Sequence, residues 1–232
     1  MELEGARTLV AGATGELGGQ LARRLRGAGA TVSVAGRDEE RLASVAEELD
    51  ARAFRFDARD FASCEAAVTG AADALGGLDL LVIATGEVGF GAATSLDMAA
   101  ATRLFEVNVL GPMALVRAAL ARMDDAGTVV GLSAIVADYP TADMAAYSAS
   151  KAALSAYMAA VRRERRREGL RVLDVRPQHM ETGFSDRAVA GEAPDLPQPL
   201  DPDEVVDTIL GAMRDERREV AFDLRARSLV VN

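Results

Sequence analysis

Seven short aliphatic and β-branched runs recur along the chain, at residues 8–11, 31–35, 53–56, 80–84, 128–132, 171–175 and 220–222. Between them lie longer segments of helical period, including 20–26, 39–49, 61–75, 96–123 and 145–167. No other feature restricts the fold so strongly, because strands that alternate with crossover helices make a parallel sheet covered on both faces. The expectation is a doubly wound α/β domain with a seven-stranded parallel sheet and helices on both faces. A length of 232 residues suits one such domain, with a core large enough to need no covalent staples. The segment 183–202 breaks the alternation: it holds Pro194, Pro197 and Pro199, ends on Pro202 and has no periodicity, so it reads as a functional loop.

Composition matters next, because it removes whole classes of function. Half the residues are apolar and 27% are charged, so the chain can bury a core and is not disordered. A formal net charge of -10 opposes nucleic-acid backbones and anionic membranes, and neither is expected as a partner. The cluster Arg162, Arg163, Arg165, Arg166 and Arg167 falls at an expected helix C-terminus, where cations offset the dipole. The single cysteine, Cys64, cannot form an intramolecular disulfide and shares a helical stripe with Phe61, Val68 and Leu75, so it reads as a small buried hydrophobe. Residues 1–5 run into the first strand without a signal-like apolar core, and no uninterrupted apolar run approaches the roughly 20 residues of a bilayer span. The chain is expected in the cytoplasm, and no metal is expected.

The first strand ends in Ala11-Gly12-Ala13-Thr14-Gly15-Glu16-Leu17-Gly18-Gly19, directly before a helix. Glycines there let the backbone turn sharply and approach a pyrophosphate, whose charge the helix N-terminus then holds. A tight strand-to-helix turn uses glycine for purely structural reasons as well. After the second strand stands Gly36-Arg37, where a fold preferring NAD would carry an acid. A guanidinium at that place suits a 2'-phosphate, although a solvated arginine is an equal reading from this residue alone.

Tyr147-Ser148-Ala149-Ser150-Lys151 opens a helix and puts Tyr147 and Lys151 on one face. A lysine ammonium a few ångströms from a phenol favours the phenolate. At an effective dielectric of ~20 the pair is worth about 4 kcal/mol, or about three pH units. That would bring the tyrosine near neutral pH for acid-base work.

With these motifs in order, the sequence resembles the short-chain dehydrogenase/reductase family, short type, over roughly residues 8–222. The resemblance implies a Rossmann-type fold and an NADP(H)-dependent oxidoreductase, such as a carbonyl reductase, that interconverts a carbonyl and an alcohol by hydride transfer. It implies that Tyr147 exchanges a proton with the substrate oxygen and that Lys151 assists it and binds the nicotinamide ribose. It also implies that Ser133 hydrogen-bonds the substrate oxygen and that Asn108 sustains a proton-relay water. Gly12, Thr14, Gly15, Leu17, Gly18, Arg37, Asp57, Ala84, Pro177 and Thr182 fall at cofactor-contacting positions, with NADP(H) preferred over NAD(H). The bland readings are a helix-satisfied Asn108, a capping Asp57 and a turn Thr182.

Several positions depart from the family pattern. Glu16 stands where short-type members carry glycine, Ile83-Ala84-Thr85-Gly86 replaces an asparagine-containing stretch, and Gln178 follows Pro177 in place of glycine. Ser133 lies fourteen positions before Tyr147, one more than usual, so a gapless count puts Ala134 at the serine position. A bulge at the strand end is expected to turn Ser133 into the cleft. Phe90, Ile135, Val136, Tyr139, Phe184, Val189 and Leu196 are expected to line a moderately apolar substrate pocket, with 183–202 as its lid. The sole histidine, His179, is assigned no role. A face of Ala145, Ala149, Ala152, Ala156 and Ala160 points to helix pairing in a homodimer or homotetramer. The alternative from another class is a non-catalytic dinucleotide-binding sensor or partner protein with the same fold.

Overall fold

The computed structural model describes all 232 residues, the side chains of Asp124 and Asp125 excepted. In chain order the elements are β1 (Arg7–Ala11), α1 (Glu16–Gly27), β2 (Thr31–Gly36), α2 (Glu39–Leu49), β3 (Arg52–Arg55), α3 (Phe61–Leu75), β4 (Leu78–Ile83), α4 (Met98–Phe105), α5 (Gly111–Leu120), β5 (Met123–Leu132), α6 (Ala145–Glu164), β6 (Arg171–Arg176), α7 (Pro202–Arg214), β7 (Glu219–Asp223) and β8 (Ser228–Val231). The sheet order is β3-β2-β1-β4-β5-β6-β7-β8. Because the side-chain period of a strand is two, each central strand feeds both faces. Val10, Leu80, Val82, Val130 and Leu173 pack under α1, α2 and α7. Leu9, Leu81, Ile83, Val129 and Val172 pack under α3, α5 and α6.

The chain builds outward from β1 to β3, then returns to place β4 on the other side of β1. This reversal opens a crevice at the carboxyl ends of β1 and β4, where open α/β sheets bind ligands. Four helices begin with an aspartate that accepts a backbone N–H: Asp38, Asp60, Asp97 and Asp201. Helix α1 begins instead at Gly15 and has no side-chain cap, so its first-turn amides are left for another acceptor.

Two expectations need correction. The sheet has eight strands, not seven: β8 returns antiparallel on β7, pairing Phe222 with Leu229, while β1 to β7 are parallel. Its apolar run is only three residues long, too short for periodicity to show. The helix expected over 96–123 is composite, with a π-helical turn at Glu106–Leu110 between α4 and α5, and residue 123 already belongs to β5. That run, Met98–Leu120, reaches a mean hydropathy of 1.2 over an 18-residue window and is long and apolar enough, by length and composition only, to cross a membrane, although Arg103, Glu106 and Arg117 interrupt it. Half of the window is buried in the fold, as in a core helix. Cys64 is buried as expected, and burial, with Asp60 and Asp57 nearby, pushes its thiol up to about 12.

Candidate active site

A cavity of about 730 Å³ opens along the crevice and reaches from the β1 glycine turn to the N-terminal half of α6. The end at the β1 glycine turn is shaped by close backbone packing. Gly12 has φ +94, and a Cβ there would lie 2.7 Å from the Ala84 carbonyl carbon. A Cβ on Gly18 would lie 2.3 Å from the Gly12 oxygen. Only glycine lets β1, α1 and β4 meet this closely, and the uncapped amides of α1 then border the cavity. Thr14, Gly15, Leu17 and Ala84 line the same stretch, as does Thr85, whose Oγ1 is buried without a protein partner. The donor set fits a pyrophosphate.

Arg37 lies at the end of β2 in the cavity wall, 58% exposed at its side chain. Its Nη1 sits 3.3 Å from Glu87 Oε1, and Glu87 also receives a two-pronged bond from Arg103, through Nε and Nη2 at 2.7 Å each. Sequence reading missed Glu87, because its partners come from β2 and α4, remote in sequence. Asp57 lines the wall, and its Oδ1 accepts from Arg59 N, while the cap of α3 is Asp60.

At the other end, Tyr147 and Lys151 lie one turn apart on α6, 6% and 3% exposed. Lys151 Nζ donates to the Leu132 carbonyl oxygen at 2.8 Å and lies 5.9 Å from the Tyr147 ring centre. Burial pulls the lysine from 10.5 down to about 8, with Asp174 acting in the opposite direction. Burial also raises the Tyr147 phenol above its ordinary value. That direction is opposite to the one expected from the neighbouring lysine, and burial is its cause.

Asn108 sits in the π turn, fully buried. Its Oδ1 accepts from Glu87 N at 2.8 Å, and its Nδ2 donates to Glu87 O at 2.8 Å and Ser150 Oγ at 3.0 Å. It thus ties the loop after β4 to the composite helix and to α6. Gly86 leaves the space beside Lys151 Nζ and Asn108 Oδ1, 3.2 and 3.3 Å from the place of an added Cβ.

Ser133 and Ala134 both line the cavity. β5 runs in regular register to Leu132 opposite Val175, and its register shift lies at the other end, opposite Leu78/Leu80, so the expected bulge is not at this strand end. The Ser133 hydroxyl donates to Asp174 Oδ1 at 2.6 Å. Asp174 was not foreseen either, although an Asp and an Arg two apart in the interior and end of the buried strand β6 were a readable sign of a buried charged pair.

Pro177, Thr182 and His179 line the cavity after β6, and burial lowers the His179 pKa against the pull of Glu181 and Asp186. The stretch from Phe184 is strapped to the loop after β4 by Phe90 N to Ala190 O and Val189 N to Val88 O, both 2.8 Å. A small apolar cluster of Val88, Phe90, Val136, Met144 and Tyr147, with Phe184 against it, lines the α6 end of the cavity.

The family model described as short chain dehydrogenase matches residues 6–193. Dehydrogenase/reductase SDR family member 7B of Xenopus laevis is 28% identical, the alignment covering 94% of this chain and 74% of that protein. A short chain dehydrogenase of Burkholderia cenocepacia, solved in complex with NADP, superposes with a TM-score of 0.80 at 27% identity, over 90% of each chain. One from Streptomyces avermitilis gives 0.84 at 28% identity, over 94% of this chain and 89% of that one. The family match spans most of the chain, so the chain belongs to the short-chain dehydrogenase/reductase family of oxidoreductases.

Proposed function

We propose that this protein is an NADP(H)-dependent oxidoreductase that interconverts a carbonyl and an alcohol on a small molecule. The single observation that carries the reading is one cavity with a pyrophosphate-suited glycine turn and Arg37 at one end and buried Tyr147 and Lys151 at the other. A bound nicotinamide would supply or accept the hydride. Gly12, Gly15 and Gly18 with the amides of α1 would hold its pyrophosphate, and Arg37 its 2'-phosphate. Asp57, Pro177 and Thr182 would border the adenine and the carboxamide. The NADP in the Burkholderia relative supports this cofactor.

Tyr147 donates its phenolic proton to the carbonyl oxygen in reduction and takes it back in oxidation. The Lys151 ammonium, one turn away on the same helix face, stabilises the phenolate left behind. Asn108 fixes the helix and loop that frame this proton path. The apolar walls from Val88, Phe90 and Val136 exclude water and favour an apolar substituent on the substrate.

The test is loss of NADPH absorbance on mixing with aliphatic, aryl and cyclic ketones and with the quinone menadione, alongside cofactor binding by fluorescence. Turnover of members of this panel is expected. Tight NADPH binding with no turnover across it would replace the enzyme with a dinucleotide sensor.

A further inference from the structure

Glu87, on the loop after β4, is fixed through both its backbone and its side chain. Its N–H donates to Asn108 Oδ1 and its carbonyl oxygen accepts from Asn108 Nδ2, at 2.8 Å each. Its carboxylate, 13% exposed, accepts from Arg103 Nε and Nη2 at 2.7 Å each. Such a two-pronged guanidinium–carboxylate bond is strong and directional. Arg37 reaches the same carboxylate through Nη1 alone, at 3.3 Å, from a side chain that is 58% exposed. A single long contact at that exposure contributes little. Among the described residues its guanidinium has no other acceptor. All three residues line the cavity.

Breaking a partly buried ion pair is costly when it leaves a charge without a partner. Here no charge is left alone: with Arg37 withdrawn, Glu87 keeps both bonds to Arg103, and Arg37 is free to take another anion. We propose that Glu87 is a specificity-determining residue for the cofactor: its carboxylate holds Arg37 in the free protein, and the 2'-phosphate of NADP(H) replaces it there. The proposal rests on the assignment of Arg37 to that phosphate. A ribose without the phosphate offers Arg37 no anion, so the exchange and its cost concern NADPH and not NADH. Glu87 thereby moderates the preference between the two cofactors, and Arg103 is a positioning residue that keeps the released carboxylate paired.

The test is a double-mutant cycle of Glu87→Gln with Arg37→Ala, read by calorimetry as dissociation constants for NADPH and NADH, with no substrate present. Glu87→Gln is expected to tighten NADPH about two- to fivefold in the wild-type background, the scale of an exposed ion pair, and to leave NADH unchanged. In the Arg37→Ala background the gain is expected to vanish, because the two residues act as one unit. A gain that persists without Arg37 would mean that the phosphate is repelled by Glu87 directly or bound by Arg103, and would overturn the proposal. So would an equal gain for NADH, or no gain at all. The Gln variant keeps the backbone bonds to Asn108. Should it still fail to fold, Arg103→Met leaves Glu87 to Arg37 alone and is expected to weaken NADPH about two- to fivefold with NADH unchanged; unaltered NADPH affinity would overturn the proposal as well. An Arg37→Ala protein that loses affinity for both cofactors alike would sink the 2'-phosphate assignment itself. A loss confined to NADPH, with no coupling to Glu87, would sink the role of Glu87 alone.

Discussion

A buried ammonium is the least comfortable group in the site, and its discomfort can be measured. The gap between 10.5 and about 8 for Lys151 corresponds to about 3 kcal/mol of folding stability, of which a lost bond to Leu132 O would return about 1. Lys151→Met is therefore expected to be inactive yet more stable than wild type by about 2 kcal/mol at neutral pH. The unfolded chain binds the extra proton between about 8 and 10.5, so wild type regains stability as pH rises through that window. The variant's advantage should be full below about pH 8 and largely gone by 10.5 in denaturant titrations; a constant advantage would contradict the burial account. Arg37→Ala is expected to raise KM for NADPH at least about tenfold, the worth of a charge-assisted pair, and KM for NADH little. Equal effects on both cofactors would remove the 2'-phosphate assignment. That Tyr147, Lys151 and Arg37 would line one cavity was legible because each stands in a local motif. Glu87 and Asp174 were not, since their meaning comes from Arg37, Arg103, Ser133 and Ser155, which the fold brings from other elements.

Among the elements, the turn from β1 to α1 is where packing and cofactor binding are one constraint. A methyl group on Gly18 meets the Gly12 carbonyl oxygen, a backbone atom that cannot swing away. Gly18→Ala is expected to cost about 1 to 3 kcal/mol and to weaken NADPH binding in parallel, by thermal melting and fluorescence titration. Unchanged binding at wild-type stability would mean the turn is looser than its contacts indicate. The segment 183–202 lines the cavity through Phe184, Arg187 and Leu196, and we expect it to gain the most hydrogen-exchange protection when NADPH and substrate bind together. Protection equal with and without ligands would exclude a lid. Long elements with caps were readable from sequence: α2 and α3 occupy 39–49 and 61–75 as expected. The π turn was not, because Asn108, Glu87 and Ser150 force it through contacts that helical periodicity cannot express. The eighth strand escaped because a short edge strand draws its definition from its neighbour.

For the whole molecule, the face of Ala145, Ala149, Ala156 and Ala160 is exposed, with only Ala152 half-buried, so the stripe does not serve the protein's own sheet. Phe105 and Leu110 are exposed on the composite helix. Light scattering at micromolar concentration is expected to give at least twice 24.3 kDa, and a monomer mass would leave these faces unpaired. The parallel sheet was legible because alternation and length restrict topology, while the assembly depends on surfaces whose small residues have more than one use. The central claim is that the reaction runs through the Tyr147 hydroxyl, and its most direct test compares wild type with Tyr147→Phe on the same ketones and menadione. The account predicts a fall in kcat of about a hundredfold to ten-thousandfold with the NADPH dissociation constant unchanged. A Tyr147→Phe protein that turns over like wild type would contradict it.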